Sequence, residues 1–320
     1  RDIMAYEKFI ETVESKLMLK ERDKYLVFGD HCTRRYEGEV KKRGDQIIIP
    51  GLGAPTVYQL QKDGTYTANQ VGAGSIAGKG KDIIHKGIPD PEEIPNSEVR
   101  LQVNQMAVFN FMVGDIDKEL TSKYGLMGAY RKKVGKLIAE QQDQYIAKSI
   151  VNFADSENNA TDTYTKGTGA YLTAKSTNTV SSTTYFNILD FIDEQIEGFN
   201  NVNIGDDIEI VGECTPKFWR YLKKALREID TNNSKLIRGR EVTMYNGIPF
   251  FKTVHAKVDN SEYLIIRTTD SVAFFDPLMH IEPYRVEKGF SDCLKGFNLY
   301  DCGIVEPKAI KWSKILGYQA

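Results

Sequence analysis

Residues 99–113 read VRLQVNQMAVFNFMV, and the spacing of the apolar side chains in this stretch sets the architecture. Val99, Leu101, Val103, Ala107, Phe109, Phe111 and Val113 recur at every second position, with Gln105 as the one break. Arg100, Gln102, Asn104 and Asn110 fall between them. A period of two is that of a strand with one buried face. At ~3.3 Å per residue such a strand spans about 50 Å, far longer than the usual five or six residues.

The stretch runs straight into a second long element. In residues 114–153, GDIDKELTSKYGLMGAYRKKVGKLIAEQQDQYIAKSIVNF, the residues Leu120, Tyr124, Met127, Tyr130, Val134, Ile138, Gln141 and Tyr145 recur every three or four positions. That spacing predicts a helix packed along one stripe. Asp115 or Asp117 can cap its start, and continuation to about Val151 gives a length of roughly 50 Å. Gly125, Gly128 and Gly135 weaken it and mark a bend or a close approach to a neighbouring backbone.

Upstream, RRYEGEVKKRGDQIIIPGL (34–52) predicts two strands around a Gly44-Asp45 turn. Between Pro50 and Val99 the chain is rich in Gly, Pro, Lys and Asp and has little to bury within itself. A lone two-stranded ribbon is marginal in water, so this excursion is expected to lie on another domain or another copy of the chain. Downstream, a Thr/Ser/Asn-rich loop (158–184) leads into a mixed α/β region. FNILDFIDEQIEGFNN predicts a short amphipathic helix and DIEIVG a strand. TPKFWRYLKKALREI predicts a helix with Thr215 as N-cap and Pro216 at its first position. Phe218, Leu222, Ala225, Leu226 and Ile229 form its buried stripe, and Phe218, Trp219 and Leu222 are its candidate packing residues. REVTMYNGIPFFKTV is a hairpin turning at Asn246-Gly247, and EYLIIRTT is a further strand. The tail adds strands in IEPYRVEKGF and in FNLYDCGIVEPKAIKW, the latter broken at Glu306-Pro307.

Chemical motifs fail one after another. VGAGSIAGKGK (71–81) suggests a phosphate loop, yet Ala73 replaces the first glycine of GxxxxGK[ST] and Gly80 the final hydroxyl residue. Its flanks are neither a buried strand nor a long helix, so a mobile glycine-rich tip is the better reading. His31, His85, His255 and His280 stand far apart with no partner at zinc spacing. DSENNATDTYTK (155–166) has Ala160 and Lys166 where a calcium loop needs Gly and Glu. No cofactor, metal or catalytic cluster is expected. The 320 residues are 41% hydrophobic and 27% charged, with a net charge of −2, so no general attraction to nucleic acid or anionic membrane follows. No window approaches a membrane span, and the mixed-charge start lacks a signal peptide's apolar run. Cys32, Cys214, Cys293 and Cys302 show no CxxC spacing and are expected as thiols.

The order of elements resembles the major capsid proteins of tailed bacteriophages, with the α+β Hong Kong 97-type fold. The resemblance is carried by NSEVRLQVNQMAVFNFMVGDIDKEL, GKLIAEQQDQYIAKSI, TPKFWRYLKKA, GREVTMYNGIPFFKT and NLYDCGIVEPKAIKW. It implies an N-terminal arm (1–30), an extended loop with flanking strands (31–114), a peripheral domain with a spine helix (115–185), an axial domain (186–280) and a return to the peripheral domain (281–320). It further implies no enzymatic activity and self-assembly into hexamers and pentamers of an icosahedral shell. That shell forms in the host cytoplasm, matures as a phage head and encloses double-stranded DNA that it contacts non-specifically. Portal, scaffolding and decoration proteins are the other partners implied, and no membrane. Under the resemblance, Gly72, Gly74, Gly78, Lys79, Gly80 and Lys81 belong to a loop laid over a neighbouring subunit. Lys79, Lys81 and Lys86 lie where some members cross-link to asparagine, but no motif names an asparagine partner here. An encapsulin-like compartment is the alternative within the fold, and a phosphate-binding α/β enzyme the alternative outside it.

Overall fold

In a computed structural model of the chain, the described residues are 17–35, 46–51, 57–60, 66–69, 97–114, 126–153, 169–201, 209–228, 243–286 and 289–319. The long alternating stretch forms two strands instead of one. Strand β4 (Ser97–Gln102) pairs with β1 (Gln46–Gly51), and β5 (Gln105–Gly114) continues the chain. The break at Val103-Asn104 has a local cause: the Asn104 amide donates to the Asp301 carboxylate at 2.9 Å instead of to a ladder partner. The alternation survives within β5, where Ala107 and Val113 are buried while Val108, Asn110 and Met112 are exposed.

Residues Ile48–Leu101 form a compact unit of their own, which includes an antiparallel pair of β2 (Val57–Leu60) and β3 (Tyr66–Asn69). The second unit holds the cores. Its long helix α1 is described over Leu126–Phe153, about 42 Å at the usual rise. Gly135, Ile138, Ala139, Gln142, Asp143, Ile146, Ala147, Ser149 and Ile150 are its buried positions among the described side chains. Gln141 is exposed and Tyr145 only half-buried, so the stripe lies one position away from the predicted one at its C-terminal end. The reason is a polar anchor, because Asp143 turns inward to bind backbone amides. Gly135 is the predicted close approach: an added Cβ would sit 3.2 Å from the Met18 carbonyl oxygen.

Two sheets complete this second unit. A three-stranded antiparallel sheet runs β14 (Val272–Arg285), β15 (Ser291–Ile304), β5. The larger sheet has nine strands: β6 (Ala170–Thr173), β7 (Asn178–Val180), β8 (Thr183–Asn187), β9 (Ile210–Cys214), β10 (Thr243–Tyr245), β11 (Ile248–Lys252), β12 (Lys257–Val258), β13 (Ser261–Thr268) and β16 (Ile310–Gln319). They are ordered β10-β11-β9-β13-β16-β6-β8-β7, with β12 beside β13. The Thr/Ser/Asn-rich segment therefore supplies three strands where a loop was expected. β-Branched threonines suit a pleated surface as well as a turn, and composition alone does not separate the two. The turn at Glu306-Pro307 is present as a short 3-10 helix, Pro307–Ala309, and beyond it β16 enters the larger sheet between β13 and β6.

Three hairpins turn on two residues with positive φ: Ser181-Ser182, Asn246-Gly247 and Asp259-Asn260. Such turns match the twist of the flanking strands. Helices α2 (Ile188–Asn201) and α3 (Pro216–Glu228) pack together against the larger sheet. Phe191, Ile192, Phe199, Phe218, Leu222, Phe250, Leu264 and Ile266 form the core there. The hydroxyl of Thr215 accepts the Phe218 amide at 3.2 Å, which makes it the expected N-cap. A second core under α1 gathers Phe28, Ala139, Ile146, Ile150, Ile265, Phe274 and Ile310.

Candidate functional site

The densest polar arrangement lies where residues 26–33 meet α1, β9 and β13. Arg267 on β13 and Glu213 on β9 are fully buried and form a two-pronged pair, Nη2 to Oε1 at 2.7 Å and Nε to Oε2 at 3.0 Å. Two more guanidinium protons go to backbone: Nη1 to the His31 carbonyl at 2.8 Å and Nη2 to the Phe28 carbonyl at 3.0 Å. The His31 ring sits 3.3 Å from Glu213 and 4.0 Å, centroid to centroid, from Phe251. From the other side, Asp143 accepts the amides of Val27, Phe28 and Gly29 at 2.9, 3.0 and 3.3 Å. Cys32 donates its thiol proton to the Phe28 carbonyl.

Each charge here has a structural partner. Burial pushes the Asp143 carboxyl from its ordinary value near 3.8 up to about 7; the three amides pull it back only in part, and the nearby Glu213 adds to the rise. Burial likewise lifts the Cys32 thiol to about 11, with Arg267 opposing, so it stays a thiol at neutral pH. Two further carboxylates act in the same manner. Asp276 pairs with the buried Arg22. Asp301 accepts from the Tyr145 hydroxyl at 2.8 Å and from the Cys302 amide at 2.8 Å, besides Asn104. In each case one carboxyl group ties together segments far apart in sequence. What the arrangement does chemically is fix backbone, since its donors and acceptors are taken up by main chain and by each other. Among the described residues no group of three or more His, Cys, Asp or Glu could hold a metal ion.

The predicted site residues divide accordingly. Gly72, Gly74, Gly78, Lys79, Gly80 and Lys81 lie outside the described residues, as do Leu120 and Tyr124; Met127 is in α1, but its side chain is not described. Tyr130 is 44% exposed, its ring 5.8 Å from that of Phe111, so it covers the rim of the α1 contact instead of filling it. Val134 packs beside the Met18–Ile281–Leu294 cluster and Ile138 is buried. Phe218 and Leu222 are fully buried. Trp219 is half-buried at the edge of that core, with the Lys223 and Lys252 ammonium groups 3.7 and 4.7 Å from its ring centre. The polar knot was not anticipated from sequence: Asp143, Glu213 and Arg267 are single charges among many, and only Arg267 inside the apolar run EYLIIRTT carries a signal.

The surface carries a different feature. The outer face of β5 exposes Val108 at 66% and Met112 at 71%, and among the described strands β5 is an edge of its sheet. Exposed apolar side chains on an unpaired edge strand are a liability for a lone molecule.

No family model and no curated relative matches the sequence. Solved structures do match over nearly the whole chain. A chain from Mycobacterium phage Che8 aligns with a TM-score of 0.58 at 18% identity, covering 90% of each chain. One from the capsid of cyanophage P-SCSP1u gives 0.61 at 12%, covering 92% of this chain and 89% of that one. One from the mature capsid of bacteriophage PhiM1 gives 0.54 at 14%, covering 91% and 87%. At such identities the likeness is one of fold: this chain has the α+β fold of phage capsid subunits.

Proposed function

We propose that this chain is the major capsid protein of a tailed phage, of the Hong Kong 97 type, and that its work is done by contacts between copies. Many copies close into an icosahedral shell around double-stranded DNA, and the shell is assembled in the host cytoplasm and becomes the virion head. The observation that carries this reading is the length of the match: about nine-tenths of this chain aligns with about nine-tenths of chains taken from phage capsids. An isolated enzyme domain grafted onto a shared scaffold would align over the scaffold alone.

Three features support assembly as the mechanism. The apolar outer face of β5, an edge strand among the described residues, is suited to cover by another copy. Residues Ile48–Leu101 form a separate unit with short strand pairs, which gains stability from a neighbour it lies across. The buried charges hold the subunit core rigid, so that the same surfaces recur in every copy. Association then stabilises each subunit by mass action. The role is structural, with no catalytic step. Portal, scaffolding and decoration proteins are further partners under this reading, and packaged DNA is contacted without sequence preference. Among the described residues no helix is long and apolar enough to cross a membrane.

The reading is tested by expressing the chain alone and with its neighbouring phage genes, then sedimenting the product after nuclease treatment. Fast-sedimenting particles that protect DNA when the packaging proteins are present support it. Particles that carry only protein cargo identify an encapsulin-like compartment instead.

A further inference from the structure

Helices α2 and α3, side by side on the larger sheet, carry opposite charge. α2 reads ILDFIDEQIEGFNN: Asp190, Asp193, Glu194 and Glu197 with no lysine or arginine. α3 reads PKFWRYLKKALRE: Lys217, Arg220, Lys223, Lys224 and Arg227 against the single terminal Glu228. On each helix the charges lie opposite the buried stripe. Ile188, Ile192, Gln195 and Phe199 face the α2 core, while Asp190, Asp193 and Glu197 are exposed. Phe218, Leu222 and Ala225 face the α3 core, while Arg220, Lys224 and Arg227 are exposed.

Among the described residues the two stripes do not neutralise each other. Asp193 accepts the Tyr245 hydroxyl at 2.9 Å, but Asp190, Glu194 and Glu197 make no ion pair among the described residues, and neither do Lys224 and Arg227. The cations crowd around buried and half-buried aromatic rings: Arg220 lies 5.2 Å from the Tyr221 ring centre and Lys217 4.8 Å from that of Tyr318. An open hollow of about 510 Å³ on this face is lined by Trp219, Arg220, Tyr221, Lys223, Lys224 and Arg227. Burial, then the charges of Lys252 and Arg227, hold the Lys223 ammonium below its ordinary pKa. The chain itself carries a matching carboxylate stripe on α2.

We propose that the basic face of α3 on one copy docks against the acidic face of α2 on the next copy. This proposal rests on the capsid reading above and names one contact that builds the shell. The two faces are different surfaces, so the contact is head-to-tail, and head-to-tail contacts that close produce rings. Opposite potentials steer the copies together, and like charges placed across the contact oppose it strongly. The net charge of −2 sets the molecule apart from proteins that coat nucleic acid through general basicity, and favours a protein partner for this stripe over DNA.

The test is a charge swap, read as shell yield by sedimentation, with thermal unfolding of the unassembled subunit as control for folding. Lys224→Glu/Arg227→Glu and Glu194→Lys/Glu197→Lys are each expected to lower shell yield about tenfold or more. Combining all four substitutions restores it, and so does mixing the two double variants, because each then offers the face that the other lacks. Undiminished yield from both double variants overturns the contact. A quadruple variant and a mixture that both stay unassembled overturn it as well, since the faces then meet something other than each other. Full shell yield with loss of nuclease-protected DNA in the α3 variant assigns the stripe to packaged nucleic acid, against the proposal. A parent protein that forms no shells under any condition overturns the capsid reading, and the contact with it.

Discussion

Asp143 is a carboxylate on the long helix that binds three consecutive backbone amides, Val27 to Gly29. Its folded pKa, about 7, lies above its ordinary value near 3.8 because burial outweighs those amides. Between the two values the folded chain holds a proton that the unfolded chain has lost. The group's contribution to stability is therefore complete below about pH 4 and falls away as the pH rises to about 7. Urea unfolding of the unassembled subunit at about pH 4.5 and about pH 7.5 is expected to show this loss relative to Asp143→Asn, which does not titrate. Parallel pH profiles for the two proteins contradict the assignment. None of this was legible in the sequence. An aspartate in QQDQY at a helical spacing is a surface residue by every local rule, and only the tertiary approach of residues 27–29 turns it inward. Cys32, Cys214, Cys293 and Cys302 are free thiols in the structure, as their spacing had suggested.

Elements were more legible where local and tertiary signals agree. α3 shows cap, first-turn proline and apolar stripe in sequence, and the structure has Thr215 capping, Pro216 first and Phe218 and Leu222 buried. The Asn246-Gly247 hairpin was equally plain, whereas the same positive-φ geometry at Ser181-Ser182 was hidden because serine has no preference for it. The long strand was split by one side chain, Asp301, from the far end of the chain. Three substitutions probe this scale. Leu222→Ala leaves a cavity in a fully buried site and is expected to cost about 2–5 kcal/mol, with half-buried Trp219→Ala costing less. Gly296→Ala places a methyl group 2.5 Å from the Phe109 ring and 2.6 Å from the His280 carbonyl oxygen, so it is expected to loosen the β14–β15–β5 sheet by about 1–3 kcal/mol. Chemical denaturation of the unassembled subunit measures all three, and near-neutral values for Leu222→Ala and Gly296→Ala contradict the packing described.

For the whole molecule, the sequence conveyed the order of parts and the absence of a recognisable catalytic motif, but not which strands share a sheet. Pairing of β16 with β13 and β6 joins segments more than forty residues apart, and periodicity carries no information on such partners. The glycine-rich residues 71–81 lie in sequence within the Ile48–Leu101 unit, while the cores belong to the other unit. Deleting residues 64–86 is therefore expected to leave cooperative unfolding of the subunit in place and to abolish or weaken shell formation. Loss of cooperative unfolding in that deletion protein contradicts the division of labour between unit and core. Of all measurements, electron microscopy of the purified full chain bears most directly on the assembly claim. Closed shells of uniform diameter are the predicted result, and monodisperse monomers at high concentration contradict it.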